Sequence, residues 1–269
     1  VSGLDPARLQ ALLRTQRYGR SLRLLEVTES TNDDARRDAA AGAADGHVVV
    51  ADSQQRGRGS HGRIWTSPAG TCLYLSIVAR PAVPLAQLPP LTLAVGLGVA
   101  EAVERVLEPS VRAHALVKWP NDVWLLGKKC AGILIEASSS GAVLGPLVIG
   151  IGLNVNRMDW PEELEALAIS LRAARPDAAA LDRETTLAEL LESVERRVDR
   201  FVAEGAAATV AALETRLALR GERVRCDAVE GTLLGVSPSG ALRIATEAGV
   251  RELIAGRLEA MQPGLASRA

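Results

Sequence analysis

The sequence predicts an α+β fold, a mixed or largely antiparallel sheet flanked by helices and followed by a small β-barrel. Three observations carry this. Many of the strand-like runs are joined by hairpin-length turns, which suit antiparallel pairs and are too short for parallel crossovers. Two helical patterns, residues 91–107 and 185–204, are long and apolar enough to cover a sheet. From about residue 217 the texture changes to short runs broken by glycine, the spacing of an all-β unit of about 50 residues. The chain therefore divides into 1–216 and 217–269, and a doubly wound parallel sheet is disfavoured.

The elements follow in order. Asp5 before Pro6 marks a helix start, a cap and then a first-turn proline, with Leu9, Leu12 and Leu13 as a short apolar face. SLRLLEV (21–27) is a strand, and TESTNDDARRDAA (28–40) is a loop entering a helix at Ser30-Thr31-Asn32. HVVVADSQQ (47–55) is a buried strand that runs into the loop RGRGSHGR (56–63), and TCLYLSIVA (71–79) is the next strand. Beyond a proline-rich bend at 81–90, LTLAVGLGVAEAVERVL (91–107) is a helix whose first half has no polar face, so it is buried on several sides. ALVKW, VWLL and CAGILIEA are strands linked by turns at Pro120-Asn121-Asp122 and at Gly127. PLVIGIGLNVN (146–156) is another strand. In TTLAELLESVERRVDRFVAE (185–204), Leu187, Leu190, Leu191, Val194, Val198 and Phe201 recur at helical spacing behind a capping box from Thr186 to Glu189. ERVRC, GTLLGVS, ALRIATE and VRELIAGRLEA then supply the barrel strands.

Composition narrows the function. A net charge of −1 gives no general attraction for nucleic acid or anionic membrane, so any anion site is local. Cys72, Cys130 and Cys226 stand far apart without a CxxC spacing, which argues against zinc and against a disulfide framework and fits a reducing cytoplasm. The first 20 residues carry no apolar signal core, and no stretch reaches about 18 uninterrupted apolar residues.

Scarce polar residues mark the segments with chemistry. Only three of the 31 lysine-plus-arginine residues are lysine, and all three, Lys118, Lys128 and Lys129, fall in KWPNDVWLLGKK. The four asparagines are Asn32, Asn121, Asn154 and Asn156. In RGRGSHGR, glycine lets backbone N–H groups approach an anion and arginine supplies paired donors, although a solvated hairpin tip has the same composition. No GK[ST] follows and the loop does not open a helix, which excludes a Walker loop and a Rossmann fingerprint. KWPND places a cation at a strand end beside an amide and a carboxylate able to orient a ligand or hydrated Mg2+, or merely to form a turn. Lys129 enters an apolar strand, which is costly unless it meets an anion or snorkels, and Gly132 would let something lie against that strand. Ser30, Thr31 and Asn32 suit uncharged polar groups of a small ligand, or a simple cap. Gly150 and Gly152 leave room for a planar ligand beside the backbone, or simply mark an irregular strand end.

Taken together and in this order, STN, QxxGRGxxGRxW, KWPND, KxxGIL and GIGxNVN resemble the biotin protein ligases, over residues 20 to 260. The resemblance implies a class II synthetase-like catalytic domain with an SH3-like barrel behind it. It also implies attack of biotin's carboxylate on MgATP to give biotinyl-5'-AMP and pyrophosphate, then transfer to a lysine of a biotin carboxyl carrier domain of a carboxylase. A free carboxylate acylates poorly, so a good leaving group is installed first and cations stabilise the charge developing at phosphorus.

Carried onto matching positions, the resemblance gives Lys129, Arg58, Lys118 and Asp122 catalytic roles, with Asp122 also toward magnesium. Ser30, Thr31, Asn32, Gln54, Arg58, Gly59, Ser60, Lys129 and Gly132 would meet biotin. Gly57, Arg63, Trp65, Lys118, Asn121 and Asn154 would meet ATP or the adenylate. The cofactor and substrate set is ATP, Mg2+ and biotin. The partner is the carrier, a homodimer is left open, and neither nucleic acid nor membrane is expected. One departure stands out: Ser60 occupies the position of the second arginine in GRGRxG, which puts the loop's grip on the adenylate in question. A winged helix, which makes some members repressors, is not expected from the residues before SLRLLEV. A lipoate or octanoate ligase, a DNA-binding regulator and a non-catalytic nucleotide module are the rival readings.

Overall fold

The apolar runs pair into two sheets in the computed structural model, which describes residues 3–107, 114–140, 143–175 and 179–261. The larger sheet comprises β1 (Leu22–Thr28), β2 (Val48–Gln54), β3 (Leu73–Ala79), β4 (Leu116–Lys118), β5 (Asp122–Leu125), β6 (Lys128–Ser140) and β7 (Val143–Leu153), in the order β1-β2-β3-β7-β6-β5-β4. β1 and β2 run parallel, with Leu22 opposite Val48. All the other neighbours are antiparallel, so the sheet is mixed as expected.

Helices cover both faces of this sheet. α1 (Pro6–Leu12) starts as Asp5-Pro6 dictates, with the Asp5 carboxylate accepting from Ala7 N and Arg8 N. α2 (Thr31–Ala40) supplies the crossover between β1 and β2 and packs Ala35 and Ala39 onto Val49, Val78 and Val148. The opposite face of β2 presents Val48 and Val50 to the main core, the period-two alternation that a strand requires. α3 (Leu88–Val106) lies in that core. By length and apolarity alone it could cross a membrane, but 67% of the relevant window is buried inside this fold.

α4 (Glu162–Glu165) is a single turn, and α5 (Arg183–Glu204) packs against α3. The predicted capping box from Thr186 to Glu189 does not form: the cap lies four residues earlier, where the Asp182 carboxylate accepts from Thr185 N. An anionic cap also complements the helix dipole, and Thr186 instead donates back to Asp182 O, leaving Glu189 to pair with Arg105. α6 (Ala206–Leu213) follows directly after Gly205, a positive-φ residue where the chain changes direction.

The smaller sheet holds β8 (Arg223–Cys226), β9 (Val229–Val236), β10 (Leu242–Thr246), β11 (Gly249–Leu253) and β12 (Leu258–Ala260), antiparallel throughout in the order β11-β10-β9-β8-β12. The run VRELIAGRLEA divides into two strands, and β11 and β12 do not pair with each other, so the barrel is open. Residues 262–269, the end of the expected second unit, lie outside the described residues. Val224, Leu233, Leu242, Ile244 and Leu258 merge with the main core. Backbone bonds from Val117 N to Arg216 O (2.7 Å) and from Ala218 N to Val117 O (2.9 Å) bind the connecting segment to β4, and Trp119 Nε1 donates to Gly240 O (2.9 Å).

The tightest contact in the helical layer is at Gly98, where a Cβ would lie 2.8 Å from Val194 Cα and 2.9 Å from Ser193 O. Backbone cannot yield as a side-chain tip does. Gly98→Val is therefore expected to destabilise the fold by about 1–3 kcal/mol. At Gly96 the nearest atom is a methyl of Val117 at 3.1 Å, so Gly96→Ala is expected to cost less. Equal denaturation midpoints for the two variants would contradict the close α3–α5 approach.

Candidate active site

The site lies where the N-terminus of α2, the loop after β2 and the central strands β6 and β7 meet. Ser30 caps α2 through its carbonyl, which accepts from Asp33 N and Asp34 N (3.1 Å each), and its hydroxyl makes no cap bond. Thr31 and Asn32, in the first turn, are buried. Gln54, at the end of β2, accepts from Thr31 N (2.9 Å) and Thr31 Oγ1 (3.2 Å) and donates to Ser67 Oγ (3.0 Å). Asn32 Oδ1 accepts from Ser76 Oγ (2.6 Å), while Asn32 Nδ2 donates to Glu136 Oε2 (2.8 Å). Only Gly150 lets Asn32 reach this position, since a Cβ there would lie 2.2 Å from Asn32 Oδ1. The result is a wall of neutral polar groups with their directions fixed by one another.

The loop folds back on itself: Gly59 N donates to Arg63 O (2.7 Å) and Trp65 N to Gly57 O (2.8 Å). This return lays the Trp65 indole over β6 and β7. A Cβ at Gly152 would sit 2.4 Å from the indole, and one at Gly132 would sit 2.9 Å from it. Trp65 Nε1 is buried there with no hydrogen-bond partner. The space left beside it is about 40 Å³, room for a few waters and not for a ligand of biotin's size. Ligand entry therefore requires the indole or the loop to move.

Charge enters from the β4–β5–β6 side. Lys129 Nζ lies 2.6 Å from Asp122 Oδ1 and 5.1 Å from the Trp65 ring centre. Asn121, in a turn that contains the cis Trp119–Pro120 bond, donates to Ile133 O (2.7 Å). Lys118 lies over the Trp124 ring at 4.6 Å. Burial pushes its pKa below the usual lysine range, with Lys129 adding to the effect and the Asp122 carboxylate opposing it. The single carboxylate of Asp122, already paired, does not make a resident magnesium centre, and among the described residues no group of three His, Cys, Asp or Glu is set to hold a metal.

One cleft brings together Ser30, Thr31, Asn32, Gln54, Arg58, Gly59, Ser60, Trp65, Asn121, Lys129 and Gly132. Other residues singled out from sequence sit around it. Gly57 packs beneath Trp65 O, and Lys118 and Asp122 stand behind Lys129. Arg63 folds back on Ser60, donating to Ser60 O (3.2 Å) and to Ser60 Oγ (3.0 Å). Arg56 points outward to Glu29 (3.2 Å). Asn154 is buried, with its Nδ2 toward Lys129 O (3.4 Å) and Ile169 O (3.2 Å), so its amide holds backbone behind the cleft. Asp33, Ser76 and Glu136, which fasten the site, had no distinguishing signal in the sequence: charged residues on a helix and on a strand, and a serine inside an apolar strand, are ordinary there. A larger groove of about 450 Å³ between α3 and α5 is lined by Glu101, Glu104, Arg105, Arg196, Arg197 and Arg200, and its cations are ion-paired.

The glycine floor gives a direct test. Gly152→Ala is expected to dislodge the Trp65 indole and shift the protein's tryptophan emission, and the shift should vanish when Trp65→Phe is also present. An emission spectrum unchanged by Gly152→Ala would show that the indole does not rest there.

Known proteins share this fold and much of this sequence. The family model described as the biotin/lipoate A/B protein ligase family matches residues 24–154. The chain is 30% identical to the bifunctional ligase/repressor BirA of Bacillus subtilis over 262 residues, 95% of this chain and 79% of that protein. It is 38% identical to the biotin–[acetyl-CoA-carboxylase] ligase of Mycobacterium tuberculosis over 202 residues, 72% of each. The solved structure of the Aquifex aeolicus biotin protein ligase in complex with biotin and ATP superimposes with a TM-score of 0.75 at 30% identity, covering 90% of this chain and 100% of that one. Sequence and fold agree over most of the chain, which belongs to the biotin protein ligase family.

Proposed function

We infer that this protein attaches biotin to a lysine of a biotin carboxyl carrier protein, using ATP and passing through biotinyl-5'-AMP, with release of pyrophosphate and AMP. The observation that carries the reading is the pairing of a fixed neutral polar wall with a buried-edge lysine across one cleft. The ureido ring of biotin offers N–H donors and one carbonyl acceptor, which Ser30, Thr31, Asn32 and Gln54 can answer. The apolar chain ends of lipoate or octanoate would bring no partner to the Ser30 hydroxyl or to the remaining bonding capacity of this wall, and would cover those polar groups without replacing the water they lose. This favours biotin over the other acyl substrates of the wider family.

In this assignment Lys129 turns from Asp122 to the biotin carboxylate, holding a nucleophilic oxygen at the edge of the nucleotide side. Magnesium would come with the substrate as MgATP, liganded mainly by phosphate oxygens, and Asp122, once Lys129 has turned away, is the carboxylate that would be free to hydrogen-bond its water shell. Lys118, Asn121 and Arg63 supply donors toward the phosphates, and Trp65 covers the mixed anhydride from water. The carrier lysine then attacks the acyl carbon and AMP leaves. A compact ammonium suits the narrow gap between indole and carboxylate better than arginine's planar fork. Pyrophosphate exchange into ATP, measured side by side with biotin, lipoate and octanoate, tests the substrate class; exchange with octanoate or lipoate alone would overturn it.

Lys129→Ala removes a charge-assisted contact worth roughly 1.5 to 3 kcal/mol, so biotin-dependent exchange should fall about 10- to 100-fold in a variant that remains folded. Unchanged exchange would remove Lys129 from its role. At Ser60 the natural chain has a short hydroxyl engaged by Arg63, and Arg56 is turned to Glu29. Ser60→Arg is therefore expected to slow release of bound biotinyl-5'-AMP by about 10- to 100-fold in a stopped-flow chase. Equal release rates would mean that another cation already holds the adenylate.

A further inference from the structure

The carboxylate of Glu136, on β6, touches both the polar wall and the covering loop. Its Oε2 accepts from Asn32 Nδ2 (2.8 Å), Arg36 Nη2 (2.8 Å) and Arg58 Nη2 (3.3 Å). Its Oε1 lies 3.4 Å from Arg58 Nη2. Asp33 completes the arrangement with a two-pronged pair to Arg58, Oδ1 at 2.8 Å and Oδ2 at 3.1 Å.

We propose that Glu136 is a positioning residue of the ligase, a carboxylate that both orients the Asn32 amide and latches the loop over the cleft through Arg58. The functional half of this proposal rests on the biotin ligase reading; the latch itself does not. A carboxylate only accepts hydrogen bonds, so it obliges Asn32 to turn its NH2 end toward β6 and its carbonyl toward Ser76. A reversed amide would set two acceptors against each other in a buried place. Arg58 stands between Gly57 and Gly59, so fixing its guanidinium fixes the hinge of a loop that otherwise bonds chiefly to itself. Arg36 makes the latch reversible, because it keeps Glu136 neutralised when Arg58 swings away. Loop opening for ligand entry, which the filled cleft demands, then leaves Asn32 in place.

The test uses the full chain and two isosteric variants. In Glu136→Gln without ligand, trypsin should cut at Arg58 and Arg63 about 2- to 5-fold faster than in the natural protein, the scale of a partly exposed ion pair, and the difference should vanish in about 1 M salt. The same variant should bind biotin more weakly, because a side-chain amide both donates and accepts, leaving the long contact from Asn32 Nδ2 to Leu134 O (3.4 Å) as the acceptor that still favours the present orientation on that side. Asp33→Asn should accelerate cleavage with a smaller effect on biotin affinity, since Asp33 does not touch Asn32. Combining Arg58→Gln with Glu136→Gln should add little to cleavage at Arg63 beyond either alone. Equal cleavage of Glu136→Gln and the natural protein, or fully additive effects of the pair, would overturn the latch. Equal biotin affinity would overturn the orienting role. Absence of biotin-dependent exchange in the natural protein would instead defeat the ligase reading, while the proteolysis result would still stand.

Discussion

The site depends on a floor without side chains. Gly132 on β6 stands directly opposite Gly152 on β7, and Gly150 stands opposite Leu134 two residues along. Two adjacent central strands thus present bare backbone over a patch that would otherwise carry apolar side chains. Glycine within a strand is destabilising by roughly 0.5–1 kcal/mol relative to alanine. Burial between two helical layers offsets that cost, and the space gained admits Asn32 at one end and the Trp65 indole at the other. Glu136 and Ser76 meet the first of these two, and Lys129 faces the second.

Much of this is legible in the sequence because the relevant signals are local. Period-two and period-3.6 patterns locate the strands and the long helices, and the scarcity of lysine and asparagine points to the segments that converge. The same scarcity cannot separate a ligand-facing amide from one that ties down backbone. Asn121 and Asn32 line the cleft, whereas Asn154 holds backbone carbonyls and Asn156 clasps Leu181 through both its N–H and its carbonyl. Asp33 and Glu136 are invisible for a related reason: acidic residues are common here, and only tertiary placement brings them to Arg58. The apolar pattern misplaces the start of α5 because Asp182, outside that pattern, outcompetes a threonine within it as a cap.

The distribution of cations follows a division of labour between the two basic side chains. Arginine forms the planar, multiply bonded pairs, as at Arg58 with Asp33 and Arg216 with Glu104, and at Arg183 it bonds both the Asp52 carboxylate and Cys72 O. Lysine sits where the partner is a single oxygen or an aromatic face, Lys129 on Asp122 and Lys118 on Trp124. Partial desolvation of Lys118 shifts it toward the neutral form, which a guanidinium in the same place would resist.

The attachment of the smaller sheet has a consequence for how the chain behaves when partly unfolded. β4 is a terminal strand of the larger sheet, only three residues long, and residues 216–218 cover it by bonding to both the N–H and the carbonyl of Val117. An uncovered strand end is a template on which another chain can add. The same segment leads straight into β8, while Trp119 is held by Gly240 at a turn of the smaller sheet. Loss of the smaller sheet would thus strip the cover from the larger one, and the hazard of its release is intermolecular strand pairing, with precipitation as its outward sign.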